Sequence, residues 1–466
     1  MEDLNTIVDF TRPPEEVIAA LKEKTVIVPP WRILEKEYDP REHPVMNKAA
    51  YPDIVDKDGK VDYVTRIAID LQRLAAHRMT DLMFGIPVKR IYLSNNEKQK
   101  ELANWMEAIY ASNRIDSVNI ERGNMLFAGC EVFTIWYSVA TPTDVYGFKS
   151  PVKIRCKNYS PMLGHSLYPL FDEDGDMIAM SVEYKVRLSK KTLYYFDTYT
   201  AEKHIRWVKD QGAWVEDVNE DISAIGKIPG VYCFRRTPIW ENSSSIVYES
   251  EWALSRTGNY IRKNSKPIFV VFADEVIRYG DEQDEKSEFK GVLQYPRDGR
   301  AEYVTWEQAT DTLKFYLDRL ESTFFGQLQI PNWSYEKMSQ QALSGESRKQ
   351  MFIDAMLKVK SESGRVLDML VRESNVIKDF MKQIVPSNYT SELDSLRVES
   401  CITPFTINDD KETISNLVMA NGGKPLMSQR ESVKHLGWSD DPEQTMQEIA
   451  TEEEASAKRD IYEPTI

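Results

Sequence analysis

The chain has 466 residues, 42% hydrophobic and 11% aromatic, too long for one compact core and too apolar for a globally disordered chain. Its formal charge of −15 argues against tight non-specific DNA binding, which rests on Lys and Arg neutralising phosphates, but not against a protein that DNA only passes through. Cys130, Cys156, Cys233 and Cys401 form no CxxC pair, which favours reduced thiols over a disulfide framework or a zinc site; no run of about 18 apolar residues marks a membrane span, and the polar N-terminus has no signal-peptide core.

Residues 1–60 are rich in Pro and charge and read as an irregular arm with one short helix near Glu15–Glu23. Asp62 suits the N-cap of a helix running through Met83, because Val64, Ile67, Leu71, Leu74 and Leu82 recur at helical spacing. Phe84-Gly85-Ile86-Pro87 stops it: Gly permits positive φ and Pro cannot continue a helix. A strand over Val88–Leu93 follows, then helices over Glu97–Tyr110 and Ile115–Ala128, the second ending at Gly129. From Cys130 to about Val208, β-rich runs such as Val132–Tyr137, Val152–Arg155, Met180–Tyr184 and Thr192–Tyr195 alternate with turns, which predicts a mostly antiparallel β region.

Ser243–Asn264 reads as a helix with Ile246, Trp252, Leu254 and Tyr260 as its apolar members, and Gly258 argues against it. Pro267–Val304 reads as short strands with acidic turns at Asp281, Glu282, Asp284 and Glu285. Thr305, with Gln308 three residues on, caps a helix over Trp306–Gln327. Residues 329–343 break the pattern, with Pro331-Asn332-Trp333 and a polar run to Gln340-Gln341. A long helix then spans Ser344 to Gln383, its stripe marked by Phe352, Met356, Val359, Val366, Leu370, Ile377 and Met381. At 1.5 Å per residue it would measure roughly 60 Å, which suits a strut in an assembly. Pro386–Ile402 is a connector, and the tail from Thr406 is helical and acidic.

No catalytic arrangement survives inspection. Gly422-Gly423-Lys424-Pro425 places Pro where a P-loop needs Ser or Thr, HExxH is absent, and His43, His77, His165, His204 and His435 are scattered. Asp172-Glu173-Asp174-Gly175-Asp176 opens like a calcium loop. Taken to lack a Glu at the twelfth position, and flanked by β runs, it reads as a polar hairpin turn, as does Asp281–Glu285. The expectation is a chain with no metal, no cofactor and no enzymatic activity. Cations gather instead on two helices, Arg256, Arg262 and Lys263 on the first and Lys314 and Arg319 on the second, where an ordinary solvated face explains them equally well.

Three segments in a fixed order carry a family resemblance: Phe84-Gly85-Ile86-Pro87; Ser344-Gly345-Glu346-Ser347 before the long helix; and Met427-Ser428-Gln429-Arg430-Glu431-Ser432 followed by Asp440-Asp441-Pro442-Glu443. Over roughly residues 50–455 the chain resembles the portal proteins of tailed bacteriophages, in particular those of siphophages infecting Gram-positive hosts. It departs from their pattern at Ile86, Ser347 and Ser432, where the family has Lys, Ala and Thr. The resemblance implies an elongated, multi-part α+β portal fold. Its parts would be a wing (1–240), a first stem helix (241–266), a small β clip (267–304), a second stem helix (305–328), a tunnel loop (329–343), a long wing helix (344–385), and a connector with a helical crown (386–466).

It further implies a homo-oligomeric ring, usually of twelve copies, through which double-stranded DNA passes during packaging, retention and ejection. Arg256, Arg262, Lys263, Lys314 and Arg319 would be channel-lining candidates, and Trp333, Tyr335, Lys337, Ser339, Gln340 and Gln341 would meet DNA from the tunnel loop. Asp281, Glu282, Asp284 and Glu285 would dock partners on the clip. Those partners would be terminase and head-completion or adaptor proteins, with major capsid and scaffold proteins around the ring and no membrane. The ring would assemble in the host cytoplasm and reside at the portal vertex of the virion. The competing readings are a virion structural or scaffold protein without a channel, and a metal-dependent nuclease.

Overall fold

The structure is a computed structural model, and it describes residues 7–23, 26–55, 57, 59–189, 191–210, 212–264, 268–272, 300–304, 310–332, 352–405, 410–422, 426–436 and 442–460. The architecture is α+β, and every strand pairing among the described residues is antiparallel. The N-terminal arm is more ordered than its composition suggests. It contains helices α1 (Pro14–Leu21) and α2 (Trp31–Tyr38), two short 3-10 turns, and a small hairpin of β1 (Ile54–Val55) and β2 (Val61–Asp62). Helix α1 buries Val17, Ile18 and Leu21 against Leu170, Phe196 and Trp207.

The helix expected from Asp62 instead begins at Leu71 (α3, Leu71–Phe84), and Asp62 ends β2, where it pairs with Arg262 at 2.9 Å. The cause is tertiary. Residues 63–69 run extended along a later helix, α6 (Ser244–Asn264), whose side chains take alternate backbone N–H groups. Thr65 donates to Asn259 Oδ1 at 2.6 Å, Ile67 to Ser255 Oγ at 2.9 Å, and Ile69 to Glu251 Oε1 at 2.8 Å. The periods match: four helical residues rise about 6 Å, and two extended residues span about 6.6 Å. One turn before the ladder stands Val247, whose side chain has no acceptor to offer, so the ladder ends at Glu251. Gly258 does not break α6. A Cβ there would lie 2.9 Å from Thr65 Cγ2, so the glycine makes room for the strap. The face that α6 buries is correspondingly polar, with Ser250, Glu251 and Ser255 beside Val247, rather than the apolar set expected of it.

Helix α3 stops at Phe84 as expected, although Gly85 keeps φ at −64° and leaves the stop to Pro87. Strand β3 (Lys89–Leu93), α4 (Glu97–Ser112, with Asn96 accepting from the Gln99 N–H at 2.9 Å) and α5 (Ile115–Gly129) follow. At the end of α5 the left-handed residue is Cys130 (φ 64°), not Gly129. Gly129 is needed because a Cβ there would approach Met162 Cγ to 2.7 Å. The β region then forms two sheets. One has three strands in the order β11 (Gly230–Phe234), β4 (Glu131–Val139), β5 (Lys153–Tyr159). The other is a five-stranded meander of β6 (Ser166–Phe171), β7 (Met177–Arg187), β8 (Thr192–Tyr199), β9 (Lys203–Asp210) and β10 (Ala213–Asp221).

The acidic turn between β6 and β7 is a hairpin closed by Asp172, whose carboxylate accepts from the N–H groups of Asp174 (3.1 Å) and Asp176 (2.7 Å). Counted from Asp172 the twelfth residue is in fact Glu183, so a missing Glu is not the reason for this outcome. Glu183 lies on β7 opposite Ser166 and pairs with Lys22 at 2.9 Å. The four cysteines are free thiols.

After α6, β12 (Ile268–Phe272) pairs with β13 (Arg300–Val304), and α7 runs over Thr310–Leu328; the expected cap at Thr305 lies outside the described residues. The long helix is described over Ile353–Ile384 (α8), and of its expected stripe Val359, Val366, Leu370, Ile377 and Met381 are buried. The connector folds into α9 (Ser387–Ser395) and β14 (Arg397–Cys401), which pairs with β3. A core of Leu102, Met106, Tyr110, Trp136, Ile377, Phe380 and Leu393 joins α4, β4, α8 and α9. Two compact units result, one of residues 1–332 with 358–403, the other of residues 333–357 with 404–466. In the second unit lie α10 (Asp410–Asn421), α11 (Gln429–Leu436) and α12 (Pro442–Asp460). A capping box opens α11: Glu431 N–H donates to Ser428 Oγ at 3.1 Å, and Ser428 N–H to Glu431 Oε2 at 3.4 Å.

Candidate functional site

The hairpin of α6 and α7 carries the described cations among the expected site residues. The helices run antiparallel: Ser243 Oγ reaches Gln327 Oε1 at 3.5 Å, and the Tyr316 hydroxyl donates to Glu249 Oε1 at 3.1 Å. Arg256, Arg262, Lys314 and Arg319 are all exposed. Arg256 lies over the Trp252 ring at 5.6 Å, and Arg262 is paired with Asp62. Neither Arg256, Lys314 nor Arg319 has an ion-pair partner among the described residues. Lys263 sits on α6 one heptad after Arg256, hence on the same face, while its side chain lies outside the described residues.

The cations do not form one stripe. Arg256 and Arg262 are turned about 120° from each other, and Lys314 and Arg319 about 140°. Exposed Glu249, Asp311 and Asp318 intersperse them. Ile261 (50%), Phe315 (70%) and Tyr316 (41%) also stand exposed on this hairpin, an apolar surface left uncovered within one chain. The expected tunnel-loop residues Trp333, Tyr335, Lys337, Ser339, Gln340 and Gln341 lie outside the described residues, as do the clip acids Asp281, Glu282, Asp284 and Glu285.

Both ends of the hairpin's base are tied into the body. At α6, His43 is fully buried with each ring nitrogen against an acceptor, Nδ1 to Glu251 Oε1 at 2.5 Å and Nε2 to the Glu37 carbonyl at 2.9 Å. With an oxygen facing each ring nitrogen, the arrangement favours the doubly protonated imidazolium. Burial opposes that charge, but the bonds to Glu251 and Glu37 outweigh it and raise the His43 pKa. At α7, Gln329 (φ 55°) ends the helix, and Arg78 holds the exit by donating to the Pro331 carbonyl at 3.1 Å while lying over the Phe325 ring at 4.7 Å.

Sequence reasoning also missed an ion pair that fastens the long helix. Arg122 on α5 and Glu373 on α8 are 1% and 0% exposed at their side chains. Arg122 Nη1 and Nη2 donate to Glu373 Oε1 and Oε2 at 2.7 and 3.0 Å, and Trp136 Nε1 adds a bond to Oε1 at 3.1 Å. Asn119 Oδ1 takes the Arg122 Nε–H at 2.8 Å. No local signal could have paired two residues 251 apart. Among the described residues no group of three or more His, Cys, Asp or Glu is placed to hold a metal.

The family model described as phage portal protein, SPP1 Gp6-like, matches residues 23–459. No curated protein sequence matches the chain significantly. Two solved structures align with it at 10% identity. One, from the neck of an empty gene-transfer-agent particle computed with C6 symmetry, covers 78% of this chain and 89% of that chain at a TM-score of 0.41. The other, from the virion of a native gene-transfer-agent particle, covers 91% of this chain and 98% of that chain at a TM-score of 0.40.

Proposed function

This chain belongs to the SPP1 Gp6-like phage portal protein family, and on that premise we propose that it is the portal-vertex subunit of a tailed-phage virion, one copy of a ring around a DNA channel. The observation that carries the reading is the family match over residues 23–459, nearly the whole chain. The order of parts supports it: a helix, a small β hairpin and an antiparallel helix, followed later in the chain by a long helix. In this reading α6 and α7 are the stem, β12 and β13 the base of the clip, residues 329–343 the tunnel loop, α8 the wing strut, and α10 to α12 the crown. The ring has about twelve copies, and the protein performs no catalysis.

A closed ring of identical subunits needs a head-to-tail interface, and the exposed Ile261, Phe315 and Tyr316 offer apolar area for one. Mixed charge on the stem suits a conduit. Cations at Arg256, Lys263, Lys314 and Arg319 guide the phosphate backbone, while the net negative charge of the chain prevents a grip. Terminase and head-completion proteins dock on the clip acids, and capsid and scaffold proteins surround the ring.

Negative-stain electron microscopy with a parallel mass measurement tests this. Rings with a central hole and a mass near twelve subunits are expected. A particle that remains a closed, compact monomer even with capsid and scaffold proteins overturns the reading. Charge reversal at Arg256 and Lys314 tests the channel assignment, which fails if the variant rings package DNA normally.

A further inference from the structure

Strand β5 is an edge strand, and Lys153 and Arg155 share one of its faces, with Tyr137 of β4 directly across from Arg155. The turn between α4 and α5 is pinned to this strand. Asn113 Nδ2 donates to the Ile154 carbonyl at 3.0 Å, and the Cys156 N–H donates to Asn113 Oδ1 at 3.2 Å. The next residue, Arg114, is held in the left-handed region at φ 50°, a conformation that costs a non-glycine residue about 1–2 kcal/mol. The turn thereby sets Arg114 beside Lys153 and Arg155, and all three line one cavity of about 340 Å³.

Residues 143–150 build the cavity's other wall. Thr143 and Ser150 exchange backbone bonds of 2.9 and 2.8 Å, and the buried Tyr146 accepts the Ile154 N–H on its hydroxyl at 2.8 Å. Tyr137, Thr143, Asn113 and Cys156 also line it, together with Ser112, whose hydroxyl donates to the Ile109 carbonyl at 2.8 Å, and no carboxylate is among the lining residues. None of the three cations has an ion-pair partner among the described residues. Three cations around one concavity, in a chain of net charge −15, are a local reversal of sign that gathers anions. Guanidinium forks match phosphate oxygens two at a time, and the volume is at the small end of the range for small-molecule sites. It is far too small for a duplex.

We propose that this cavity binds the phosphate group of a small molecule of up to nucleotide size, with Arg114, Lys153 and Arg155 holding the oxyanion and Tyr137 and Thr143 donating hydroxyls to it. All of its lining residues come from the α4–α5 turn, β4, β5 and residues 143–150 of one chain. It has an unusual signature, because Arg114 is both a ligand and a strained residue.

Equilibrium dialysis of the full chain against labelled inorganic phosphate, deoxyadenosine monophosphate and unphosphorylated deoxyadenosine tests the proposal. Saturable binding near one per chain is expected for the phosphates and none for the nucleoside, weakening between about 50 and 200 mM salt. Equal affinity for the two phosphates identifies the free ion as the ligand, and tighter monophosphate binding identifies an ester; both support the site. The double variant Lys153→Gln, Arg155→Gln should lose at least about tenfold in affinity. Arg114→Gly should lower affinity while holding or raising the melting temperature, since glycine adopts positive φ without strain. No saturable phosphate binding, binding unchanged in both variants, or equal binding of the nucleoside overturns the proposal.

Discussion

Glu373→Gln isolates the value of the buried ion pair behind the long helix. The carboxylate accepts three N–H groups, at 2.7 and 3.0 Å from Arg122 and 3.1 Å from Trp136, where neither partner of the pair meets solvent. Glutamine keeps the shape and one acceptor oxygen. The loss is therefore chiefly electrostatic: Arg122 stays charged in the core without its anion. Removing one partner of such a pair costs about 3–5 kcal/mol, whereas replacing both with apolar residues is often neutral or stabilising. Guanidinium unfolding followed by far-ultraviolet circular dichroism should show Glu373→Gln about 3 kcal/mol less stable than the parent. The double variant Arg122→Met, Glu373→Leu should recover most of that loss. A single variant within about 1 kcal/mol of the parent, or a double variant as unstable as the single, would refute the reasoning.

Three further outcomes follow from other contacts. Because the His43 pKa is raised in the folded chain, the stability that its charge contributes is complete below the unfolded value of about 6.5 and is lost as pH rises through the folded value. The groups facing the ring are Glu251 and Tyr248 on α6, Glu37 on α2 and Asp70 before α3. Denaturation midpoints taken from pH 6 upward, about half a unit apart, should fall more steeply for the parent than for His43→Gln, and equal slopes would count against the imidazolium. Gly258→Ala should destabilise the parent by crowding Thr65 Cγ2, yet stabilise a Thr65→Ser background by up to about 1 kcal/mol through helix propensity. A stabilising effect in both backgrounds would mean that the strap does not press on α6. Burial pushes the thiols of Cys130 and Cys156 up to about 12 and that of Cys233 to about 11, while Cys401 is exposed. Iodoacetamide at pH 8 should therefore label Cys401 alone in the native chain and all four cysteines after denaturation, as mass spectrometry would show.

Several elements were legible because their causes are local. Helices α4 and α7 follow the 3.6-residue recurrence of their apolar positions, and the β region follows short β-branched and aromatic runs between turns. The acidic hairpin was readable from its own turn residues, and the cations of the α6–α7 hairpin from their placement on two neighbouring helices. Their exposure was not, since it depends on what packs against each helix.

The remaining features depend on residues far apart in the chain. Val64 and Ile67 have helical spacing, yet residues 63–69 are extended because Asn259, Ser255 and Glu251 supply acceptors that outweigh local propensity. Gly258 reads as a helix breaker until Thr65 is placed against it. The strand β14, hidden in a presumed connector, exists only because β3 offers it an edge. Periodicity and turn chemistry determined most of the element types, for these are properties of neighbouring residues, while three short segments in a fixed order carried the family resemblance, which implied the α+β fold. Tertiary structure alone decided the strap, the His43 and Arg122 ion pairs and the cationic cavity at Arg114, because a polar group's partner in a folded core is chosen by proximity in space, which a linear pattern does not encode.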